Sequence, residues 1–142
     1  VRIEIELAPS QSDKDALSHG IMGFNDEAID DLEPVDVEQR FHVMARDIAG
    51  VLQGGIRATC YWNTLHLELL WLSEDARGSG VGRKLIDQAE AFAVENNCEN
   101  AFVETTSWQA KPFYEKNGYR LMATLHNRPK GHSTHYLSKL LV

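Results

Sequence analysis

Cysteine is scarce: Cys60 and Cys98 are the only two among 142 residues. Two thiols are too few for a disulfide framework and have no metal-ligand spacing. The expectation is a reduced pair in a cytoplasmic protein. Long apolar runs are missing as well. Nothing approaches the roughly 18 residues of a membrane span, and "VRIEIELAPS" lacks the apolar core of a secretory leader. Positive charge is in deficit, with a net charge of −7, which argues against nucleic acid as the main partner. His66, His132 and His135 show no spacing that suggests a metal, and there is no internal repeat or linker. These absences leave a single domain over residues 1–142, large enough for a proper core and acting without membrane, nucleic acid or metal.

The negative charge is unevenly spread. Residues 1–40 hold eleven acids against Arg2, Lys14 and Arg40, a balance of −8, while the other 102 residues hold ten acids and eleven bases. The cluster in "FNDEAIDDLEP" is a solvated face or a lure for a cation.

"VRIEIEL" alternates as a half-exposed strand does. The stretch from Ser12 carries Leu17, Ile21, Phe24 and Ala28 at helical intervals, with Ser12 as the expected N-cap and Gly20 and Gly23 weakening the middle. Two strands follow, joined by a turn around Asp47–Gly50. In "LHLELLWL", Leu65, Leu67, Leu69 and Trp71 fall on one face at period two, with His66, Glu68, Leu70 and Leu72 on the other, so both faces are expected to be largely buried. "VGRKLIDQAEAFAVEN" is the clearest helix, with Val81, Leu85, Ala89 and Phe92 as its apolar stripe. A strand "AFVETT", a short helix stopped by Gly118 and a closing pair of strands complete a mixed α/β pattern.

Between the fourth strand and the long helix lies "EDARGSGVGRKL". Its glycines do not fit G-x-G-x-x-G, since counting from Gly78 ends on Arg83 and counting from Gly80 ends on Leu85. Nor is it a P-loop, because Gly82 is followed by Arg83 and Lys84 with no hydroxyl for magnesium. What remains is a strand feeding a glycine loop that opens a helix. First-turn amides lack internal partners and carry the positive end of the dipole. Absent β-carbons at Gly80 and Gly82 allow a diphosphate close approach, and Arg77 and Arg83 add charge. Alone, the same glycines also read as no more than a turn.

Two spaced motifs extend this. R-x-x-G-x-G (Arg77, Gly80, Gly82) after a strand resembles the acyl-CoA-binding motif of the GNAT superfamily of N-acyltransferases. "SWQAKPFYEKNGY" is similar to that family's later stretch, with Ala110, Tyr114, Gly118 and Tyr119 in register and Ser107 where asparagine is usual. The resemblance covers nearly the whole chain. It implies a twisted, mostly antiparallel sheet of six to seven strands flanked by helices and splayed between the fourth and fifth strands. It implies acetyl-CoA as co-substrate, with no metal. The pantetheine arm would lie in the splay against the main chain of Trp71 and Leu72. The pyrophosphate would meet Gly78, Ser79, Gly80, Val81, Gly82 and Arg83. Ser107, Ala110 and Phe113 would flank the cofactor, although Phe113 also reads as core.

In direct attack of a neutral amine on the thioester, a proton donor helps the thiolate depart without being indispensable; Tyr114 takes the family's acid position and also reads as a core tyrosine. For the base, Glu68 is the first candidate and Glu104 on the next strand its rival, with a surface or ion-paired role open to each. The resemblance implies an acceptor site built largely by the N-terminal helices, where the acidic cluster falls, and by the region of the fourth and fifth strands. That implies a cationic amine, either a small molecule or a lysine or N-terminal amine on a peptide. Exposed sheet edges in this fold often pair into homodimers. The alternative keeps the fold and drops the chemistry: a non-catalytic acyl-CoA-binding regulatory or interaction module.

Overall fold

The computed structural model describes residues 1–34 and 37–142. Val1–Pro34 forms one compact unit and Val35–Val142 another. Asp36, counted above in the acidic balance, lies outside the described residues.

In the first unit a helix, α1 (Gln11–Ala28), is capped by Ser10, whose hydroxyl accepts from the Asp13 amide at 3.1 Å. The cap therefore falls two residues before the expected Ser12. The expected strand "VRIEIEL" does not form: residues 1–7 pair with no strand among the described residues and are exposed. Alternation makes a segment able to pair but does not supply a partner. Leu17, Ile21 and Phe24 of α1 are likewise exposed.

The second unit holds six strands: β1 (Gln39–Arg46), β2 (Leu52–Tyr61), β3 (Thr64–Leu72), β4 (Asn100–Thr106), β5 (Arg120–His126) and β6 (Ser133–Leu140). Their order is β1-β2-β3-β4-β6-β5, and only β3 and β4 run parallel. Between β1 and β2, Asp47 closes the turn by accepting from the Val51 amide at 2.9 Å. The β2–β3 hairpin turns on Trp62 and Asn63, both at positive φ (47° and 48°), which matches the twist of the strands it joins.

The parallel step from β3 to β4 crosses through α2 (Val81–Glu95), and α3 (Lys111–Lys116) follows β4. The buried face of α2 is Gly82, Leu85, Ile86, Ala89 and Ala93. Phe92, expected on that stripe, sits at its margin with its ring 4.2 Å from that of Phe41. Facing α2 across the core are Ile56, Ala58, Leu65, Leu67, Ala101, Val103 and Leu137.

The decisive irregularity lies on β3. Opposite Ala58 stands Leu67, but opposite Arg57 stands Leu69, so Glu68 is an extra, bulged residue. A bulge bends its strand and resets which face each side chain takes. Leu65 and Leu67 are buried before it, whereas Leu70 and Leu72 pack on the core after it. Leu69 and Trp71, expected inside with Leu65 and Leu67, are 46% and 50% exposed. Pairing with β4 ends at the same place. It runs from Thr64 to Leu67, while pairing with β2 continues to Leu72. β3 and β4 therefore part at Glu68.

The divergent arm of β3 depends on close contact with β2 at Gly54. A β-carbon there would lie 2.7 Å from the Trp71 carbonyl oxygen and 2.7 Å from a Leu72 methyl. Gly54→Ala is expected to cost about 1–3 kcal/mol through overpacking. Urea unfolding should show a lower midpoint at unchanged slope.

Candidate functional site

From the end of β3 the chain enters a one-turn 3-10 helix, Glu74–Ala76, capped by the Ser73 hydroxyl on the Ala76 amide at 3.2 Å. Arg77 Nε donates to the Leu72 carbonyl at 3.3 Å, and Ser79 Oγ donates to the Ala76 carbonyl at 2.6 Å. Gly78 and Gly80 both have positive φ (75° and 84°), a conformation that glycine adopts without a steric cost. Gly80 is the N-cap of α2, and no side chain caps that end. The first-turn amides, those of Val81, Gly82 and Arg83 among them, have no acceptor within the helix. Arg83 adds an exposed cation, 3.9 Å from Asp87. Gly82 has a packing reason of its own. Its missing β-carbon would lie 3.0 Å from the Phe113 ring and 3.4 Å from Leu72, so the glycine lets α3 close onto the start of α2.

Beside this loop, the β4-facing side of residues 68–72 has no strand partner among the described residues. Across the gap, β4 leads into α3 through a turn held by Thr105 and Gln109. The Gln109 side-chain Oε1 accepts from the Thr106 amide at 3.2 Å, and Thr105 Oγ1 accepts from the Ala110 amide at 3.3 Å. Ala110 is the N-cap of α3, with Pro112 in its first turn. Ser107 is tied to β6: its hydroxyl accepts from the Ser133 amide at 3.3 Å and lies 3.3 Å from His132 Nδ1.

Two tyrosines five residues apart have different surroundings. Tyr119 is buried and donates to Glu90 Oε2 at 2.8 Å, and Glu90 also receives Lys139 Nζ at 2.8 Å. Burial and the adjacent carboxylate push its pKa far up, so it stays a neutral structural donor. Tyr114 is equally buried and packs edge-on to Tyr119, yet its hydroxyl makes no side-chain hydrogen bond among the described residues. Burial raises its pKa to about 12. It is a protonated phenol whose proton no neighbour holds.

The two glutamates differ as sharply. Glu68, on the bulge, receives the Thr59 hydroxyl on one oxygen; on the other it receives Arg57 Nε at 3.0 Å and Arg40 at 3.3 Å. The Thr59 hydrogen bond and then the two guanidinium charges hold its carboxyl below the usual carboxylate range, against the opposing effect of burial. A carboxylate held this way is a poor proton acceptor. Glu104 is the first residue of β4 beyond the paired stretch. Its Oε1 lies 3.5 Å from His66 Nε2, and its side chain is 37% exposed. Both glutamates and His66 lie on the sheet face away from α2, where Thr59, Tyr61, His66, Glu68 and Phe102 line a concavity of about 460 Å³. Among the described residues no group of three or more His, Cys, Asp or Glu could hold a metal ion, and no helix is long and apolar enough to cross a membrane.

The structure thus brings Leu72, Gly82 at the start of α2 and Phe113 of α3 together, with Ala110 and Tyr114 on the same short helix segment and Trp71 exposed on β3. Sequence reasoning missed the bulge, the Arg40–Arg57–Thr59 clamp and the Gln109 turn. A β-bulge leaves only a break in alternation as its mark, and the apolar run from Leu69 to Leu72 hides that break.

Residues 38–121 match the model of the acetyltransferase (GNAT) domain. The chain is 44% identical over 93 residues to a blasticidin-S acetyltransferase of Streptomyces morookaense, covering 65% of this chain and 68% of that protein. To an acetyltransferase of Agrobacterium fabrum it is 28% identical over 98 residues, covering 69% and 72%. A crystal structure of an acetyltransferase from Bacillus cereus superposes with a TM-score of 0.85 over 97% of each chain at 27% identity.

The Glu68 clamp has a pH signature. With its folded pKa depressed, its stabilisation is fully present above the ordinary value of 4.5 and is lost as pH falls through the folded value. Glu68→Gln is expected to cost roughly 1–3 kcal/mol at neutral pH. Its unfolding free energy should also decline less steeply than the wild type's below about pH 4.5, as read from urea titrations at stepped pH.

Proposed function

The chain belongs to the GNAT family of acetyltransferases, and on that premise we propose that it moves the acetyl group of acetyl-CoA onto a primary amine by direct attack, with Tyr114 as the acid. The observation that carries this reading is the juxtaposition of an uncapped glycine-loop helix start with a strand whose far side is open. The first suits a pyrophosphate. The second suits an extended amide-bearing arm, which pairs with free strand backbone as an added strand does. In this reading Trp71 and Leu72 contribute main chain to the arm, and Arg77, Gly78, Ser79, Gly80, Val81, Gly82 and Arg83 surround the diphosphate. Ser107, Ala110 and Phe113 shape the far wall. A backbone amide near Leu72 polarises the thioester carbonyl, an effect of about 2–4 kcal/mol when well aimed.

As the amine nitrogen bonds to the carbonyl carbon and the C–S bond breaks, the thiolate takes the Tyr114 proton. Its unengaged hydroxyl supports that role, and its raised pKa means that it enters every cycle protonated. The relatives and the charge distribution support a choice of acceptor class. A blasticidin-S acetyltransferase is among the relatives, so the amine of a small antibiotic is the first acceptor to try. The acidic excess of residues 1–40 favours a cationic one.

The test is thiol release from acetyl-CoA over a panel of amines that includes blasticidin S, polyamines, aminoglycosides and a lysine peptide. Release on at least one small-molecule amine is expected. Tyr114→Phe should lower kcat by about 10–100-fold while the Kd for coenzyme A stays unchanged. Coenzyme A binding with no release on any amine, in wild type and variant alike, would instead support a non-catalytic acyl-CoA-binding module.

A further inference from the structure

We infer that Glu104, held beside His66 where β3 and β4 part, accepts the proton of the acceptor ammonium. The inference rests on the acetyl transfer proposed above. It assigns the proton to a residue pair and takes it away from Glu68, the more obvious carboxylate.

The argument starts from position. Leu67 and Val103 are the last paired residues of the parallel step, so Glu68 and Glu104 stand on either side of the fork. Along β4 the buried residues are Ala101, Val103 and Thr105. Glu104 therefore projects from the face opposite α2, whereas Tyr114 belongs to the core on the α2 side. A thioester lying in the fork would have the acid on one face of the sheet and Glu104 on the other. That arrangement offers the attacking amine and the departing thiolate separate proton partners.

Availability decides between the two glutamates. Both oxygens of Glu68 are taken by Thr59, Arg57 and Arg40. The charged and titratable groups facing Glu104 are fewer. From β3 comes His66, whose Nε2 is shielded from solvent, without a hydrogen-bond partner and 3.5 Å from Oε1. From the β5–β6 connection comes Arg128, 3.5 Å from Oε2, with a side chain 55% exposed. It also donates to the hydroxyl of Tyr136, the residue opposite Glu104 on β6, at 2.6 Å. An exposed pair of this length binds its carboxylate weakly. The His66 ring lies flat on Phe102, 4.1 Å between centroids and 9° between planes, which fixes where Nε2 points. His66 is thus a positioning residue, and Glu104 is the group that meets the amine.

The protons balance. The ammonium gives one proton to the Glu104 carboxylate, which returns it to solvent. The neutral nitrogen attacks and loses a second proton as the amide forms. The thiolate takes the Tyr114 proton, which the second proton replaces. The sum is an ammonium and a thioester giving an amide, a thiol and one released proton.

The experiment measures kcat/KM for the best amine of the panel against pH, in wild type, Glu104→Gln, Glu68→Gln, His66→Ala and His66→Gln. Glu104→Gln is expected to lose about 100-fold near pH 7 and to converge on wild type as pH approaches the pKa of the amine, which then arrives neutral. The KM for acetyl-CoA should not change. His66→Ala should show a smaller loss of the same shape, partly restored in His66→Gln, which keeps a polar side chain beside Glu104. Glu68→Gln should stay parallel to wild type at every pH. Should Glu104→Gln not fold, the two His66 variants carry the same comparison. A Glu104→Gln profile parallel to wild type, or convergence in Glu68→Gln, would overturn the assignment while wild-type turnover left the acetyl transfer standing. No wild-type turnover on any amine would remove both.

Discussion

The site depends on one local event, the extra residue that Glu68 inserts into β3. Before it, β3 is an ordinary inner strand hydrogen-bonded on both sides. After it, the strand keeps β2 and loses β4, and its inward face changes from odd to even positions. A strand arm with one side unpaired leaves backbone polar groups without strand partners, and such groups seldom go unsatisfied. The same feature suits a protein whose substrate carries amides of its own. The bulge falls where β3 and β4 part, and the loop that follows β3 leads into the uncapped start of α2; the proposed thioester site rests on these two features.

Around that fork, residues of one type take different roles because their neighbours differ. Tyr119 is committed to Glu90 and Lys139 and holds α2 to the closing strands, whereas Tyr114 has the same burial and no such commitment. Glu68 is fixed by a threonine and two arginines, whereas Glu104 looks toward one imidazole and one loose guanidinium. In each pair, reactivity is assigned to the member whose polar atoms the fold leaves unspent. This logic also separates the glycines. Gly80 is demanded by backbone angle and Gly82 by the Phe113 ring, so R-x-x-G-x-G records two different constraints.

Much of this was legible in the sequence. The long helix with its small inward residues, the glycine loop after a strand, and the Ala110–Tyr114–Gly118 spacing all show in residue pattern, because periodicity and turn chemistry are local. The family model and the Bacillus cereus structure bear out the mixed α/β, mostly antiparallel fold drawn from those motifs. What stayed hidden was non-local. "VRIEIEL" has the alternation of a strand but finds no partner in the described structure. The shift from Leu67 to Leu70 as the inward residue cannot be read from an apolar run. The choice between Glu68 and Glu104 turns on Arg40, Arg57 and His66, which lie on three different strands.

The central claim is that β3 and β4 part to receive an acyl-CoA thioester whose diphosphate rests on the α2 amides. A crystal structure of the protein with coenzyme A tests it most directly. The account predicts the pantetheine arm between residues 68–72 and β4, with the pyrophosphate against residues 78–83 and the sulfur on the Tyr114 side of the fork. Phosphates lodged elsewhere, or an arm lying outside a closed β3–β4 pair, would contradict it.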